Sequence, residues 1–393
     1  MEVIRHMLIA VPRERGPRER RVSLVPETVA RITKMNHRVL VEEGAGMASG
    51  FSDQQYRDAG AEVARSEQGW MKSVDLVVTV QNTDFSPTSP FAFLREEAYI
   101  IGMLGPLSSP PEMYEVLLRN KLTAFSMDVM PRISRAQSMD VLSSMSTIAG
   151  YRAAIIGAEQ LPRLFPLLMT AAGTITPAHV LVLGAGVAGL QAIATTHRLG
   201  AIVRAFDTRP VVREQVESLG ASFLTLEIQT QQTTEGYAQA LAEDIHQQEI
   251  NLLSKPVSEA DVVITTALIP GKPAPLLVTK EMVSSMRAGS VIVDLAAETG
   301  GNCELSQPGQ RIVTDNGVTI DAPLNIASQL APHASQLYSR NVLNFLNHLF
   351  AMGLGEEGKD LDVNDEIVSR TMILRGGKVL HEVLAQRMEQ VRS

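Results

Sequence analysis

Val180-Leu181-Val182-Leu183-Gly184-Ala185-Gly186-Val187-Ala188-Gly189 decides the fold of this chain. The four apolar residues read as a strand, Leu190–Leu199 reads as a helix, and three glycines fall at the turn between them. In that setting the first Gly makes the turn and the second lets the backbone approach a pyrophosphate. The third allows close helix–strand packing. The helix N-terminus adds unpaired N–H groups and a partial positive charge. Gly184, Gly186 and Gly189 are therefore candidate dinucleotide-binding positions. The next strand, Ile202–Phe206, ends at Asp207, 18 residues beyond Gly189. An acid about 20 residues on bonds the ribose in such units. The competing reading gives the turn no ligand and makes Asp207 a turn cap. A carboxylate here favours NAD(H), because it repels a 2′-phosphate. Arg209 cuts the other way, since a guanidinium can hold that phosphate.

Working outward, Val262–Thr266 and Val291–Leu295 read as further strands of the same domain. Upstream, Leu8–Val11, His37–Glu42, Val74–Val80, Ala98–Leu104 and Thr123–Met127 are strand-like. Helical stretches at Pro26–Met35 and Glu112–Asn120 intervene, an alternation that implies a mainly parallel sheet. Asp140–Met169 reads as one long helix rich in Ala, Leu, Met and Ile. Toward the C-terminus, Ser335–Met352 has helical spacing and Gly353–Asp365 reads as an acidic loop. Thr371–Leu380 reads as a hairpin around Gly376-Gly377. The expectation is α/β: two Rossmann-like doubly wound domains with a cleft between them, the first completed by the C-terminal segment. The first domain would span 1–140 plus 325–393, and the nucleotide-binding one 141–324.

Composition narrows the function. The 393 residues carry a formal net charge of -8 and are 45% hydrophobic, which suits folded domains and disfavours nucleic-acid binding. Cys303 is the one cysteine, so an internal disulfide is impossible and a Cys-based zinc site lacks partners; no metal is expected. Both facts fit a reducing compartment. Met1–Pro12 has too short an apolar stretch for a signal peptide. No formal charge lies between Arg163 and Arg198, yet Pro166, Gly173, Pro177 and the Gly-rich turn interrupt that stretch, so no membrane span is expected.

Longer strings carry a family resemblance. They include Pro12-Arg13-Glu14, Arg21-Val22-Ser23-Leu24-Val25-Pro26, Met130–Asp140, Ile148–Ala153, Arg204–Pro210, Thr265–Pro275 and Gly300-Gly301-Asn302-Cys303-Glu304. The chain resembles the NAD(H)-binding alpha subunit (domain I) of the proton-translocating, Si/Re-specific NAD(P) transhydrogenases over nearly its whole length. Alanine dehydrogenases are related and share the turn and the opening. On that alignment their catalytic lysine falls at Gln81 and their catalytic histidine near Gly105. Oxidising an amino acid releases a proton and needs an acid/base group, whereas passing a hydride between two nicotinamides does not.

The resemblance implies a catalytic loop of Arg132, Gln137 and Asp140, with Ser143 close by, holding the nicotinamide end. Arg, Gln and Asp also supply the mixed donors and acceptors that a carboxamide needs. The plainer alternative makes Arg132 and Asp140 a surface pair at a helix start. Ile133, Ser134 and Arg135 are implied nucleotide contacts, as are Val187, Thr208, Arg209, Ala267 and Leu268. Gly236 and Tyr237 resemble the tip of a loop folding over the nucleotide; alternatively, Tyr237 packs at the start of the helix Ala238–Gln248.

The implied reaction is direct hydride transfer from NADH to NADP⁺ bound on a partner subunit, coupled to proton movement through membrane-embedded transhydrogenase subunits. The implied assembly is a homodimer, peripheral on the cytoplasmic side of the inner (plasma) membrane through those partners. An amino-acid dehydrogenase like alanine dehydrogenase, a non-catalytic NAD-binding module and a purely structural protein are the rivals.

Overall fold

The computed structural model describes residues 6–65, 69–81, 89–225, 238–269, 271–356 and 360–392. Seventeen strands form among the described residues. The first six are β1 (Leu8–Val11), β2 (Arg38–Glu42), β3 (Glu62–Ala64), β4 (Leu76–Val78), β5 (Tyr99–Gly102) and β6 (Thr123–Ser126). Next come β7 (Leu168–Thr170), β8 (Gly173–Ile175), β9 (His179–Leu183), β10 (Ile202–Phe206), β11 (Ser222–Leu224) and β12 (Val262–Thr265). The last are β13 (Val291–Asp294), β14 (Arg311–Val313), β15 (Thr319–Asp321), β16 (Met372–Arg375) and β17 (Lys378–Val379). The chain divides into two compact units, Met1–Met145 with Ala327–Ser393, and Ser146–Ile326.

The first unit holds an eight-stranded sheet in the order β17-β16-β6-β5-β4-β1-β2-β3. Strands β1 to β6 run parallel, and β16 joins β6 antiparallel. The C-terminal segment thus completes the first sheet. Its hairpin turns at Gly376 and Gly377, whose φ values of 56° and 78° lie where glycine is favoured.

The second unit holds a seven-stranded sheet in the order β11-β10-β9-β12-β13-β15-β14, parallel except for β14. Its central strands read as unbroken apolar runs because both faces are covered. Val180 and Val182 join Val262, Ile264, Val291 and Val293 in one core, while Leu181 and Leu183 join Val263 and Ile292 in the other. Such period-2 partition is what a doubly wound sheet requires. Strand β9 pairs with β10 on one side and β12 on the other, so strand order reverses there. Ligands of open α/β sheets bind at the C-terminal strand ends beside that reversal.

The expected helix over Asp140–Met169 is shorter: it spans Val141–Gln160. Pro162 and Pro166 end it, because the residue before a proline is pushed out of the helical region. Beyond them lies the antiparallel hairpin β7–β8, with Leu168 opposite Ile175 and every residue exposed. Other differences are smaller. Glu112–Asn120 resolves into a 3-10 turn at Pro111–Tyr114 and a helix at Glu115–Arg119. The helix expected from Ser335 begins at Ala331, with a proline in its first turn. No helix among the described residues is long and apolar enough to cross a membrane.

Candidate functional site

Gly184 follows β9 with φ +99°, and its N–H donates to Phe206 O at 2.8 Å. A Cβ on Gly184 would sit 2.7 Å from Thr266 Oγ1, and one on Gly189 only 1.8 Å from Gly184 O. These two glycines are therefore packing requirements. Gly186 is different: a Cβ there would meet nothing within 4 Å, and the residue is exposed. It caps the helix Val187–Arg198, which has no side-chain cap. The first-turn N–H groups of a helix lack intrahelical acceptors, so this end carries donors and a partial positive charge. The cradle fits a pyrophosphate.

Asp207 stands at the end of β10. Its Oδ2 accepts from Ala185 N–H at 2.8 Å, so the carboxylate braces the Gly-rich turn. Arg209 donates to it through Nε at 2.9 Å, Nη2 at 3.0 Å and its backbone N–H at 2.9 Å. Half-burial works against the charged form of Asp207. The bonds from Arg209 and Ala185 outweigh it and hold the carboxyl below the ordinary aspartate pKa. An ionised acceptor beside the turn suits ribose hydroxyls. Thr208 is exposed next to it.

At the end of β12, Thr266 Oγ1 donates to Gly184 O at 3.0 Å, tying this loop to the turn. Ala267 is half-buried, whereas Leu268 and Val187 are exposed apolar residues at the same sheet edge. The structure thus brings Gly184, Gly186, Val187, Gly189, Asp207, Thr208, Arg209, Ala267 and Leu268 to one edge of the second unit. Gly236 and Tyr237 lie outside the described residues. Thr266 is a site residue that the sequence does not mark, because its partner is 82 residues away and no spacing rule links them.

Arg132 to Ser143 belong to the first unit, after β6. Arg132 and Gln137 are exposed, and Gln137, Ser134 and Arg135 ride a 3-10 turn at Ser134–Met139. Ile133 is half-buried before it. Asp140 accepts from Ser143 N–H at 2.9 Å and from Ser143 Oγ at 2.6 Å, which caps the helix that starts at Val141. Arg135 pairs with Asp365 at 3.1 Å. The turn is held from below by Asn341 and Asn344, whose amides donate to Ser138 O at 2.8 and 3.0 Å. Neither asparagine is legible as a support, because the 3-10 turn and the long helix are about 200 residues apart.

Elsewhere on the first sheet's C-terminal edge, Glu14 is buried and accepts from Thr79 Oγ1 and Val80 N–H, both at 2.6 Å, and from Gln81 N–H at 3.2 Å. Burial is the main cause that pushes its pKa up to about 7, against the lowering effect of those bonds. Gln81 Oε1 accepts from Arg21 Nη2 at 3.3 Å. Gly105 has φ +67° and donates to Asp128 Oδ2 at 3.0 Å; a Cβ there would lie 2.2 Å from Ser109 Oγ. A histidine at Gly105 would need both a strained backbone and a displaced serine.

Fold and Gly-rich turn together define a Rossmann-like class of two-unit α/β protein. The sequence matches the family models for the alanine dehydrogenase/PNT N-terminal domain over residues 10–149 and C-terminal domain over 153–382. The chain belongs to the alanine dehydrogenase/PNT family. It is 46% identical over 385 residues to the first part of the NAD(P) transhydrogenase alpha subunit of Rhodospirillum rubrum, covering 96% of this chain and 99% of that one. A solved transhydrogenase from Sinorhizobium meliloti superposes with TM-score 0.83 at 41% identity, over 95% of this chain and 99% of that one. Alanine dehydrogenase of Bacillus subtilis is 29% identical, over 93% of this chain and 95% of that one.

Proposed function

We propose that this chain binds NAD(H) and passes a hydride from NADH directly to NADP⁺ held on a partner subunit, as the alpha subunit of a proton-translocating NAD(P) transhydrogenase. The observation that carries this reading is the segment around Gly105: a left-handed glycine anchored to Asp128 stands near the place where the dehydrogenase alignment needs a histidine, and Met103–Pro106 contains none. Gln81 stands where that alignment needs a lysine, and an amide does not take up a proton at working pH. A chemistry with no proton to manage fits these two positions.

Each part of the chain has its own task in this reaction. The N–H groups at the start of Val187–Arg198 hold the pyrophosphate, and Gly186 leaves room for it. Asp207 accepts from the ribose, and Arg209 keeps that acid ionised. Arg132, Gln137 and Asp140 supply donors and acceptors for the carboxamide, with Ser143 fixing Asp140. When bound, NADH supplies the hydride. The role of the surrounding residues is to fix the ring and keep water out, since positioning lowers the barrier more than any acid or base could here.

The assembly we propose is a homodimer, peripheral on the cytoplasmic face of the inner (plasma) membrane through transhydrogenase membrane subunits. The hairpin β7–β8 supports the dimer. Leu167, Leu168, Met169 and Ile175 are all exposed on or beside it, and a lone two-stranded hairpin is marginal in water. The test of the activity mixes the protein with a purified NADP-binding transhydrogenase subunit, NADH and an NADP⁺ analogue of distinct absorbance, beside a pyruvate-plus-ammonium control. Reduction of the analogue only with the partner present is expected. Turnover in the control would make the chain a dehydrogenase.

A further inference from the structure

The second unit contains a buried amide that the site description leaves unused. Asn302 is fully buried in the stretch Gly300-Gly301-Asn302-Cys303 that comes after β13. Its Oδ1 accepts from Ala267 N–H at 3.0 Å, and its Nδ2 donates to Ala267 O at 2.9 Å and to Pro275 O at 2.7 Å. One N–H on one side and two carbonyls on the other fix the amide's orientation. The side chain thus acts as a third strand partner for a residue that has left the sheet. We infer that Asn302 is the positioning residue of the nucleotide site: it clasps the backbone of Ala267 and so fixes the loop after β12 against the Gly-rich turn.

The clasp is itself anchored. Asp294, fully buried at the end of β13, accepts from Asn302 N–H at 3.0 Å and Cys303 N–H at 3.1 Å. It also accepts from Thr265 Oγ1 at 2.8 Å, Ala296 N–H at 2.9 Å and Ser306 Oγ at 2.6 Å. These backbone and hydroxyl donors set the geometry of that carboxylate. On the far side of Ala267, Thr266 Oγ1 reaches Gly184 O. A continuous path therefore runs from Asp294 through Asn302 and the 266–267 backbone to the first glycine of the cradle. The neighbouring thiol of Cys303 is pushed up by burial to about 11 and stays neutral at working pH.

This inference rests on the reading that Ala267 and the Gly-rich turn hold NADH. Three variants separate the possibilities, with NADH affinity measured by fluorescence titration and thermal stability measured without nucleotide. Asn302→Ser loses the reach to Ala267. Asn302→Asp can accept from the Ala267 N–H but sets a carboxylate against two carbonyls, unless it is protonated. Val283→Ala is a control in the core of the same unit that removes none of the hydrogen bonds of the clasp. Expected is an affinity loss of about ten-fold or more in both Asn302 variants at pH 8, against less than about two-fold for Val283→Ala at comparable loss of stability. Lowering the pH should recover part of the affinity in Asn302→Asp alone, because the protonated acid regains one donor for these carbonyls.

In the wild type, the Ala267 amide, which donates to Asn302 Oδ1, should exchange slowly with deuterium before any nucleotide is added, which tests the clasp even if a variant fails to fold. Asn302 variants that bind as wild type, or that lose no more than Val283→Ala, would overturn the inference. So would fast exchange at the Ala267 amide. Failure of the wild type to bind NADH would instead overturn the proposed function, and is read in the same titration.

Discussion

Arg209 closes a two-point ion pair on Asp207, with Nε 2.9 Å from Oδ1 and Nη2 3.0 Å from Oδ2. On the proposed function, this pair should set cofactor choice. While the carboxylate is present it engages the guanidinium and repels a 2′-phosphate. Asp207→Ser should free Arg209 to meet that phosphate, so the ratio of NADPH to NADH dissociation constants should fall by about ten-fold or more. Parallel titrations of both nucleotides check this, and an unchanged ratio would assign discrimination elsewhere.

The glycines of the turn should separate folding from binding. Gly189→Ala drives a Cβ into Gly184 O and should cost about 1–3 kcal/mol or more of stability. Gly186→Ala has open space and an ordinary φ of -75°, so its melting temperature should stay within about 3 °C of wild type. Its NADH affinity should nonetheless fall about ten-fold or more, since the methyl occupies the phosphate approach. Calorimetry and titration of the two variants test the distinction. Equal NADH affinity in Gly186→Ala and wild type would move the pyrophosphate away from this turn.

Glu14 should give stability an acid-side bias. Its folded pKa of about 7 lies above the ordinary 4.5, so the stability it contributes is present below 4.5 and lost as pH rises through 7. The amide of Glu14→Gln keeps an oxygen for Thr79 and Val80, which both bond Oε1. Compared with that variant, the wild type should lose about 3 kcal/mol between these pH values. Denaturant unfolding at pH 5 and pH 8 measures the difference, and parallel curves would mean that Glu14 titrates normally.

Met169→Asp places a charge on the exposed hairpin β7–β8. Sedimentation should show wild-type dimers converting to monomers, with the melting temperature of the separated chain lower and NADH binding retained. A wild-type monomer, or a variant dimer of unchanged affinity, would count against the hairpin as the dimer contact.

The features legible in the sequence are those that repeat along it. The apolar runs of β9, β12 and β13, the Gly-rich turn and the acid after it place the nucleotide edge, because strand period and turn chemistry are local. The β7–β8 hairpin is hidden inside an uncharged stretch that continues the apolar helix before it, and only Pro162, Pro166, Gly173 and Pro177 mark the change. The supports of the site are hidden for a different reason. Asn302 meets Ala267 across 35 residues, and Asn341 meets Ser138 across 203, distances over which a lone asparagine leaves no pattern. Glu14 reads as part of a charged opening, Arg13-Glu14-Arg15, and becomes a buried acid only through its bonds to Thr79 and Val80 at the end of β4.

The most direct test of the central claim tracks the hydride itself. NADH carrying deuterium at the transferred position of C4 is mixed with this chain, the NADP-binding partner and the NADP⁺ analogue in ordinary water, and the reduced analogue is weighed by mass spectrometry. Direct transfer predicts that the product carries the deuterium and the solvent none. A reduced analogue bearing only solvent hydrogen would contradict the account.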